Sequence, residues 1–246
     1  PDGGDFNGDG VGDIFSTETG TLNIWNGRGD NKFTSAVAVG SGWSAFGRPV
    51  TGDFDGDGRS DLAAVRDGET LYVWNGRGDN KFTSAVEIGS GWAAFGRLAV
   101  GDFNGDGRSD LAAVRDGDTL YIWNGRGDNK FTSAVEIGSG WAAFGRLAVG
   151  DFNGDGRSDL AAVRDGDTLY IWNGRGDNKF TSAIQIGSGW APYDNTLMGL
   201  GDTNGDDRSD IAAIHRATGV LHIWNGRDDN KFGAATPIGP GWNTYF

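Results

Sequence analysis

A nine-residue loop, D-x-[DN]-x-D-[GD]-x-x-D, recurs five times in the 246-residue chain. Its oxygen-bearing side chains are Asp5, Asn7, Asp9 and Asp13 in the first copy, and Asp53, Asp55, Asp57 and Asp61 in the second. The later copies supply Asp102, Asn104, Asp106 and Asp110, then Asp151, Asn153, Asp155 and Asp159, then Asp202, Asn204, Asp206 and Asp210. Oxygens at alternate positions, with Gly at the sixth for a sharp bend, wrap a hard cation. The seventh residue, Arg108 in the third copy, adds a backbone carbonyl. The closing acid stands at the ninth position rather than the twelfth, and strand-like residues follow it, so this is not an EF-hand. An all-oxygen donor set offers nothing soft to zinc or copper, and a flexible loop suits calcium better than magnesium. In the fifth copy Asp207 replaces the Gly. Asp tolerates left-handed backbone better than most residues, so the expectation is up to five structural Ca2+ ions.

Charge supports the same chemistry. Sixteen of the 34 acidic residues occupy these oxygen-bearing positions. Carboxylates gathered this closely resist ionising together unless a cation joins them. Five divalent ions would bring the formal charge from −13 to −3. The negative balance excludes nucleic acid and anionic membrane as partners. No apolar run approaches the roughly 18 residues of a membrane span, so membrane insertion is not expected. With no Cys, the chain has no disulfide framework, zinc–thiolate site or Cys nucleophile.

The elements that hold these loops follow from the repeat. GDFNGDGRSDL begins at Gly101 and again at Gly150; its variants begin at Gly4, Gly52 and Gly201, so the period is close to 49 residues. The second and third copies differ only at Asp55/Asn104, Glu69/Asp118 and Val73/Ile122, as recent duplication or deliberate engineering would leave them. Within the third copy, Leu98–Val100, Leu111–Val114, Leu120–Trp123 and Ser133–Ile137 read as short strands, with a hairpin turn at Asp116-Gly117-Asp118. Apolar residues on both faces call for cover on both sides. Four antiparallel strands per repeat is a propeller pattern. The fold expected is therefore all-β, a five-bladed β-propeller filling residues 1–246 as one domain. The last copy stops short of another inner strand, so the first blade must take its inner strand from Pro1–Gly4. All ten Trp fall at two repeat positions. Trp25, Trp74, Trp123, Trp172 and Trp224 precede Asn-Gly-Arg; Trp43, Trp92, Trp141, Trp190 and Trp242 follow Gly.

The loop and the strand after it resemble the FG-GAP/VCBS repeat, which implies calcium-loaded propeller blades of the kind in integrin α-chain heads and secreted bacterial proteins. The other half of each copy, DNKFTSAVEIGSGWAAF in the third, resembles the repeat of the tachylectin family of five-bladed lectins. That second resemblance implies binding of N-acetylated amino sugars, such as N-acetylglucosamine, between adjacent blades. By motif position the sugar-binding candidates are Asp30, Asn31 and Trp43; Asp79, Asn80 and Trp92; Asp128, Asn129 and Trp141; Asp177, Asn178 and Trp190; and Asp229, Asn230 and Trp242. A carboxylate or amide can take hydrogen bonds from sugar hydroxyls or an acetamide N–H, while an indole covers the apolar side of the ring. Each also has a structural reading: Asp-Asn after Gly is a turn signal, and a Trp at a fixed blade position packs between blades. This sequence has one Gly before the Trp where that family often has two, and the tachylectin repeat lacks the acidic loop.

A catalytic site usually breaks repeat symmetry, and here the unique residues are few. His215 and His222 lie in the last copy with no triad order around them, and read as packing or surface residues. The chain reads as no enzyme. Arg-Gly-Asp occurs at Arg28, Arg77, Arg126 and Arg175, but its Asp belongs to the Asp-Asn pair and the fifth copy has Arg227-Asp228-Asp229. The reading that results is a secreted, monomeric, multivalent glycan-binding module. Its alternatives are an integrin-like adhesion or protein-interaction scaffold, or an engineered propeller without a natural ligand. Extracellular location follows from reliance on abundant calcium. No leader begins at Pro1, so a mature or excised domain is expected. The junction Ala191-Pro192-Tyr193-Asp194 departs from Ala-Ala-Phe-Gly, which would leave four good sugar sites of five.

Overall fold

The computed structural model describes residues 3–193 and 195–245. Strands that alternate small and branched apolar residues on both faces cannot stay half-solvated, so they stack as blades. In the third blade the innermost strand is Phe95–Gly101, followed by Asp110–Arg115, Thr119–Trp123 and the outer Val135–Gly138. They pair in chain order, all antiparallel. The second, fourth and fifth blades repeat this four-stranded sheet. The first has three strands, Ile14–Ser16, Thr21–Trp25 and Val37–Ser41, plus a single bridge between Gly4 and Asp13 where an inner strand would lie. Of the expected inner segment, Pro1 and Asp2 lie outside the described residues.

The hairpin expected at Asp116-Gly117-Asp118 is present. Asp116 and Gly117 both have positive φ, 50° and 75°, as a turn matched to strand twist requires. The outer strand begins two residues later than the sequence pattern suggests. Phe131 bridges back to Gly125, and the Thr132 N–H donates to the Asn124 carbonyl at 2.9 Å, so the loop consumes these residues. This outer strand is also where cover on both faces ends: Val135 is 45% exposed.

The core is a ring of five inter-blade layers. Alternation along Asp110–Arg115 sends Leu111 and Ala113 toward the second blade and Ala112 and Val114 toward the fourth. The ring closes where Ile14 and Trp25 of the first blade meet Leu200, Ile214 and Ile223 of the fifth. Tyr245 reinforces that seam: its ring packs edge-on to Trp25 at 4.7 Å, and its carbonyl accepts a hydrogen bond from Ser16 Oγ. Antiparallel order sorts the connections. The acidic loop and the Asp-Asn loop share one end of the ring. The hairpin and the Gly-Trp loop share the other.

Candidate functional site

Each acidic loop folds around its first carboxylate. Asp53 Oδ1 accepts the N–H groups of Gly56 and Asp57 at 2.7 and 3.1 Å, and its Oδ2 accepts that of Gly58 at 2.9 Å. Asp57 Oδ1 accepts the Arg59 N–H at 2.9 Å. The same pattern recurs from Asp5, Asp102, Asp151 and Asp202. Asp207, which stands in for Gly in the fifth loop, takes φ +63° and donates its N–H to Asp202 at 2.8 Å, so the bend survives the substitution.

The ninth-position acids are latches. Asp110 is fully buried; its Oδ2 accepts the Phe103 N–H at 2.9 Å and its Oδ1 the Gly125 N–H at 2.8 Å. The bond to Gly125 ties the loop to the end of the third strand. Only Gly fits there, because a Cβ would lie 2.1 Å from the Ser109 carbonyl oxygen. Burial pushes the carboxyls of Asp13, Asp61, Asp110 and Asp159 up to about 6, against the pull of these amide bonds. Asp210 moves the same way for the same cause.

The donor set fits a hard cation. Carboxylate oxygens of Asp53, Asp55 and Asp61 lie within 4.8 Å of one another. In the other loops Asn holds the third position, and its Nδ2 turns to the fifth-position acid, as from Asn104 to Asp106 at 3.1 Å. Asn75, from the Trp-Asn-Gly-Arg string, donates its Nδ2 to Asp55, while its Oδ1 is buried with no hydrogen-bond partner among the described residues. Asn26, Asn173 and Asn225 carry the same orphaned oxygen. These Asn residues were not among the sequence candidates; the signal that pointed to them was their invariant place after the inner Trp.

The structure divides the sugar-binding candidates. Asn129 has φ +59° and donates its backbone N–H to the Phe54 carbonyl of the neighbouring blade at 2.8 Å. Asn31, Asn80, Asn178 and Asn230 make the equivalent bond. These Asn residues therefore join blades. Their partner acids stay on the surface: Asp30, Asp79 and Asp229 pair with Lys32, Lys81 and Lys231 at 3.0, 3.3 and 2.6 Å. Asp177 faces Arg175 at 3.4 Å and Asp128 faces Arg126 at 3.8 Å, so each Arg-Gly-Asp in these copies closes its two charges on each other. The Lys contacts hold Asp30 and Asp229 below the usual carboxylate range.

Trp43, Trp92, Trp141 and Trp190 are 8–9% exposed. Each stacks at 4.7–4.8 Å on the inner Trp of the next blade, Trp74, Trp123, Trp172 or Trp224. Trp242 is more open. It lies 5.2 Å from Trp25 and 6.2 Å from Phe33, in a groove of about 280 Å³ that Thr34 and Tyr245 also line. A Gly-Trp loop and the residues just after an Asp-Asn pair therefore meet at one blade boundary, although their loops leave opposite ends of the ring. At the divergent fourth junction, Tyr193 takes over the packing of Phe144: its N–H donates to the Trp190 carbonyl at 2.8 Å and its ring lies 5.1 Å from Trp224. Asp194 of that junction lies outside the described residues. His215 and His222 flank Tyr193 at 5.4 and 5.3 Å.

A model of the FG-GAP-like repeat matches residues 5–64, 53–113, 102–162 and 151–213. Each match begins within one acidic loop and runs past the next. No curated protein matches the chain by sequence. Among solved structures, the chain is similar to an Agrocybe aegerita lectin that recognises non-reducing terminal N-acetylglucosamine, with TM-score 0.55 and 18% identity over 97% of this chain and 65% of that one. It is also similar to part of the Photorhabdus luminescens Tc holotoxin pore, with TM-score 0.54 and 19% identity over 96% of this chain and 12% of that one. The chain thus spans less than two thirds of the lectin and about an eighth of the toxin component. At these identities the likeness is one of fold.

Proposed function

The chain belongs to the FG-GAP-like repeat family, and from that membership we propose a non-catalytic, multivalent binding module whose blades hold calcium and whose ligands are glycans with N-acetylated amino sugars. The observation that carries this reading is the aromatic groove at the boundary between the fifth and first blades, where Trp25, Phe33, Trp242 and Tyr245 surround a space of about 280 Å³. A pyranose ring or an acetamide methyl group covers such indole and phenol surface favourably. The surface carboxylate of Asp30, in the same loop as Phe33, is an acceptor for sugar hydroxyls. The A. aegerita lectin supports the sugar class as a structural relative.

Calcium is the cation proposed for the loops, held in the second copy by Asp53, Asp55 and Asp61, with Asp57 completing the set. When bound it neutralises like charges and ties the inner two strands of each blade together. Reliance on such sites favours an extracellular setting. Several weak sites on one rigid monomeric ring gain avidity on a dense glycan surface.

The burial of Trp43, Trp92, Trp141 and Trp190 favours a second reading, a scaffold that binds protein partners through loops. A glycan array in calcium-containing buffer separates the two. Selective capture of N-acetylated amino sugars, competed by the free monosaccharide, supports the lectin reading. A blank array from folded, calcium-loaded protein supports the scaffold.

A further inference from the structure

The two histidines of the chain break the repeat at a single place. His215 ends the strand Asp210–His215, and His222 lies in the middle of Val220–Trp224. These strands pair with His215 opposite Val220 and His222 opposite Ala213. The histidines are thus diagonal neighbours on one face of the fifth blade, a spacing that aromatic side chains can bridge. Their ring centroids lie 6.3 Å apart, and both residues are half-buried.

The fourth blade carries Arg164 and Tyr170 at these positions, both packed on Phe144. The Arg164 guanidinium lies 5.9 Å and the Tyr170 ring 5.8 Å from the centre of the Phe144 ring. In the fifth blade all three residues change together, to His215, His222 and Tyr193. The exchange removes a permanently charged guanidinium. A fixed cation there would repel a metal dication, whereas two neutral imidazoles offer it lone pairs.

The hydrogen bonds of the rings suit that use. His222 Nδ1 lies 3.2 Å from the Val220 carbonyl oxygen. A carbonyl only accepts, so Nδ1 of the neutral ring carries the proton and Nε2 keeps its lone pair. His215 Nδ1 lies 3.1 Å from Thr218 Oγ1, a hydroxyl able to accept as well as donate. Among the described residues no hydrogen bond reaches Nε2 of either ring. Metal-binding histidines are oriented in this way, with one nitrogen anchored in the protein and the other left for the ion. Tyr193 steadies both rings, which meet its own at 88° and 81°. The turn that carries Tyr193 is tied to the end of the first strand, because the Arg216 N–H donates to the Pro192 carbonyl at 2.9 Å.

Distance permits a shared ion. With a metal–nitrogen bond of about 2.0–2.1 Å, a ring centroid stands about 3.2 Å from the ion, so two rings can share one when their centroids are within about 6.4 Å. The observed separation meets that limit without movement of either strand.

We propose that His215 and His222 together bind one transition-metal dication of the zinc and copper class, with water filling the other positions. Imidazole suits these ions and Cu2+ most strongly, while hard Ca2+ prefers the oxygen-rich loops. Among the described residues no Asp or Glu completes a three-residue cluster with the pair. The ion would clip two strands of the fifth blade together beside its divergent junction. The site depends on neither the glycan nor the calcium reading.

The test is titration of the chain with Cu2+ in excess Ca2+, followed by electron paramagnetic resonance. The expected result is one site per chain whose spectrum shows nitrogen hyperfine coupling, and which excess Zn2+ displaces. His215→Arg and His222→Tyr each install the residue of the fourth blade, and each should weaken this site about tenfold or more. In the unaltered chain, Zn2+ should shield both histidines from diethyl pyrocarbonate, read by mass spectrometry; this arm stands even where a variant fails to fold. Copper held only through oxygen, a nitrogen-coupled signal that survives both substitutions, or histidines that stay reactive at saturating Zn2+ would overturn the proposal.

Discussion

The backbone N–H of Asn129 donates to the carbonyl of Phe54 at 2.8 Å, across the boundary between the third and second blades. The bond recurs from Asn80 to Phe6, Asn178 to Phe103 and Asn230 to Phe152. It closes the ring from Asn31 to Thr203 at 3.0 Å, where Thr203 Oγ1 also donates to Asn31 Oδ1 at 2.8 Å. One joint, repeated around the axis, fastens the Asp-Asn loop of each blade to the acidic loop of its neighbour. Any cation that orders an acidic loop would thereby steady the next blade as well.

That joint needs a left-handed residue. Asn129 sits at φ +59°, a conformation that Asn and Gly accept and Ala resists by about 1–2 kcal/mol. Asn129→Ala should therefore lower unfolding free energy by about 1 kcal/mol, and Asn129→Gly should cost less, in urea titrations of the calcium-loaded protein. Equal losses for the two would mean that the side chain, rather than the backbone, makes the joint.

The latch acids set the pH response. In Asp13, Asp61, Asp110 and Asp159 the folded values near 6 lie above the ordinary Asp value of about 3.9. In the metal-free protein the folded state thus keeps protons that the unfolded chain releases. This contribution is complete below pH ~3.9 and is lost as pH rises through about 6. Chelated protein should melt higher at pH 5 than at pH 7, and Asp110→Asn should flatten that slope. Calcium requires the carboxylate, so added calcium should raise the melting temperature more at pH 7 than at pH 5. A calcium effect of the same size at both pH values would remove these carboxyls from the metal site.

Binding and folding should separate at two residues of one motif. Asp128 is a surface acid beside Arg126 and Lys130, and surface changes of this kind usually stay within about 0.5 kcal/mol. Trp141 is buried against Trp172, and removing such a side chain costs about 3–5 kcal/mol. Asp128→Ala should leave the melt unchanged and weaken glycan binding, whereas Trp141→Ala should depress the melt itself. Full glycan binding by a chain with all five of these acids changed would exclude the Asp-Asn loop from the sugar site.

The five blades and their strand order were legible in the sequence because one period carried both the Asp-rich loop and the alternating apolar runs. The hairpin at Asp116-Gly117 was legible because its turn demands those residue types. Which residues pair between blades was not. Asn129 reads locally as a turn residue, and nothing near it in the chain names Phe54 as its acceptor. Stacking of Trp141 on Trp172 likewise joins two motif positions that the repeat lists separately.

The seam between the fifth and first blades yields the sharpest test, because consensus and structure disagree there. In four copies the residue before the latch acid is Ser60, Ser109, Ser158 or Ser209, whose hydroxyl accepts a loop N–H from the preceding blade at 2.9–3.0 Å. The first copy has Gly12, whose own N–H donates to the Asp202 carbonyl at 3.2 Å. Restoring the repeat with Gly12→Ser looks stabilising, since it adds the missing acceptor and reduces the freedom of the unfolded chain. The backbone, however, leaves no room: a Cβ at Gly12 would stand 2.3 Å from the Leu200 carbonyl oxygen. Contact that close against backbone can be relieved only by moving the blades apart. Gly12→Ser should therefore destabilise the ring, by about 1–3 kcal/mol as overpacking does. The loss should appear in thermal melts of the calcium-loaded protein, with Ser60→Gly as the reciprocal control that removes an acceptor without a clash. A higher melting temperature for Gly12→Ser would show that the closing seam has the same geometry as the other four.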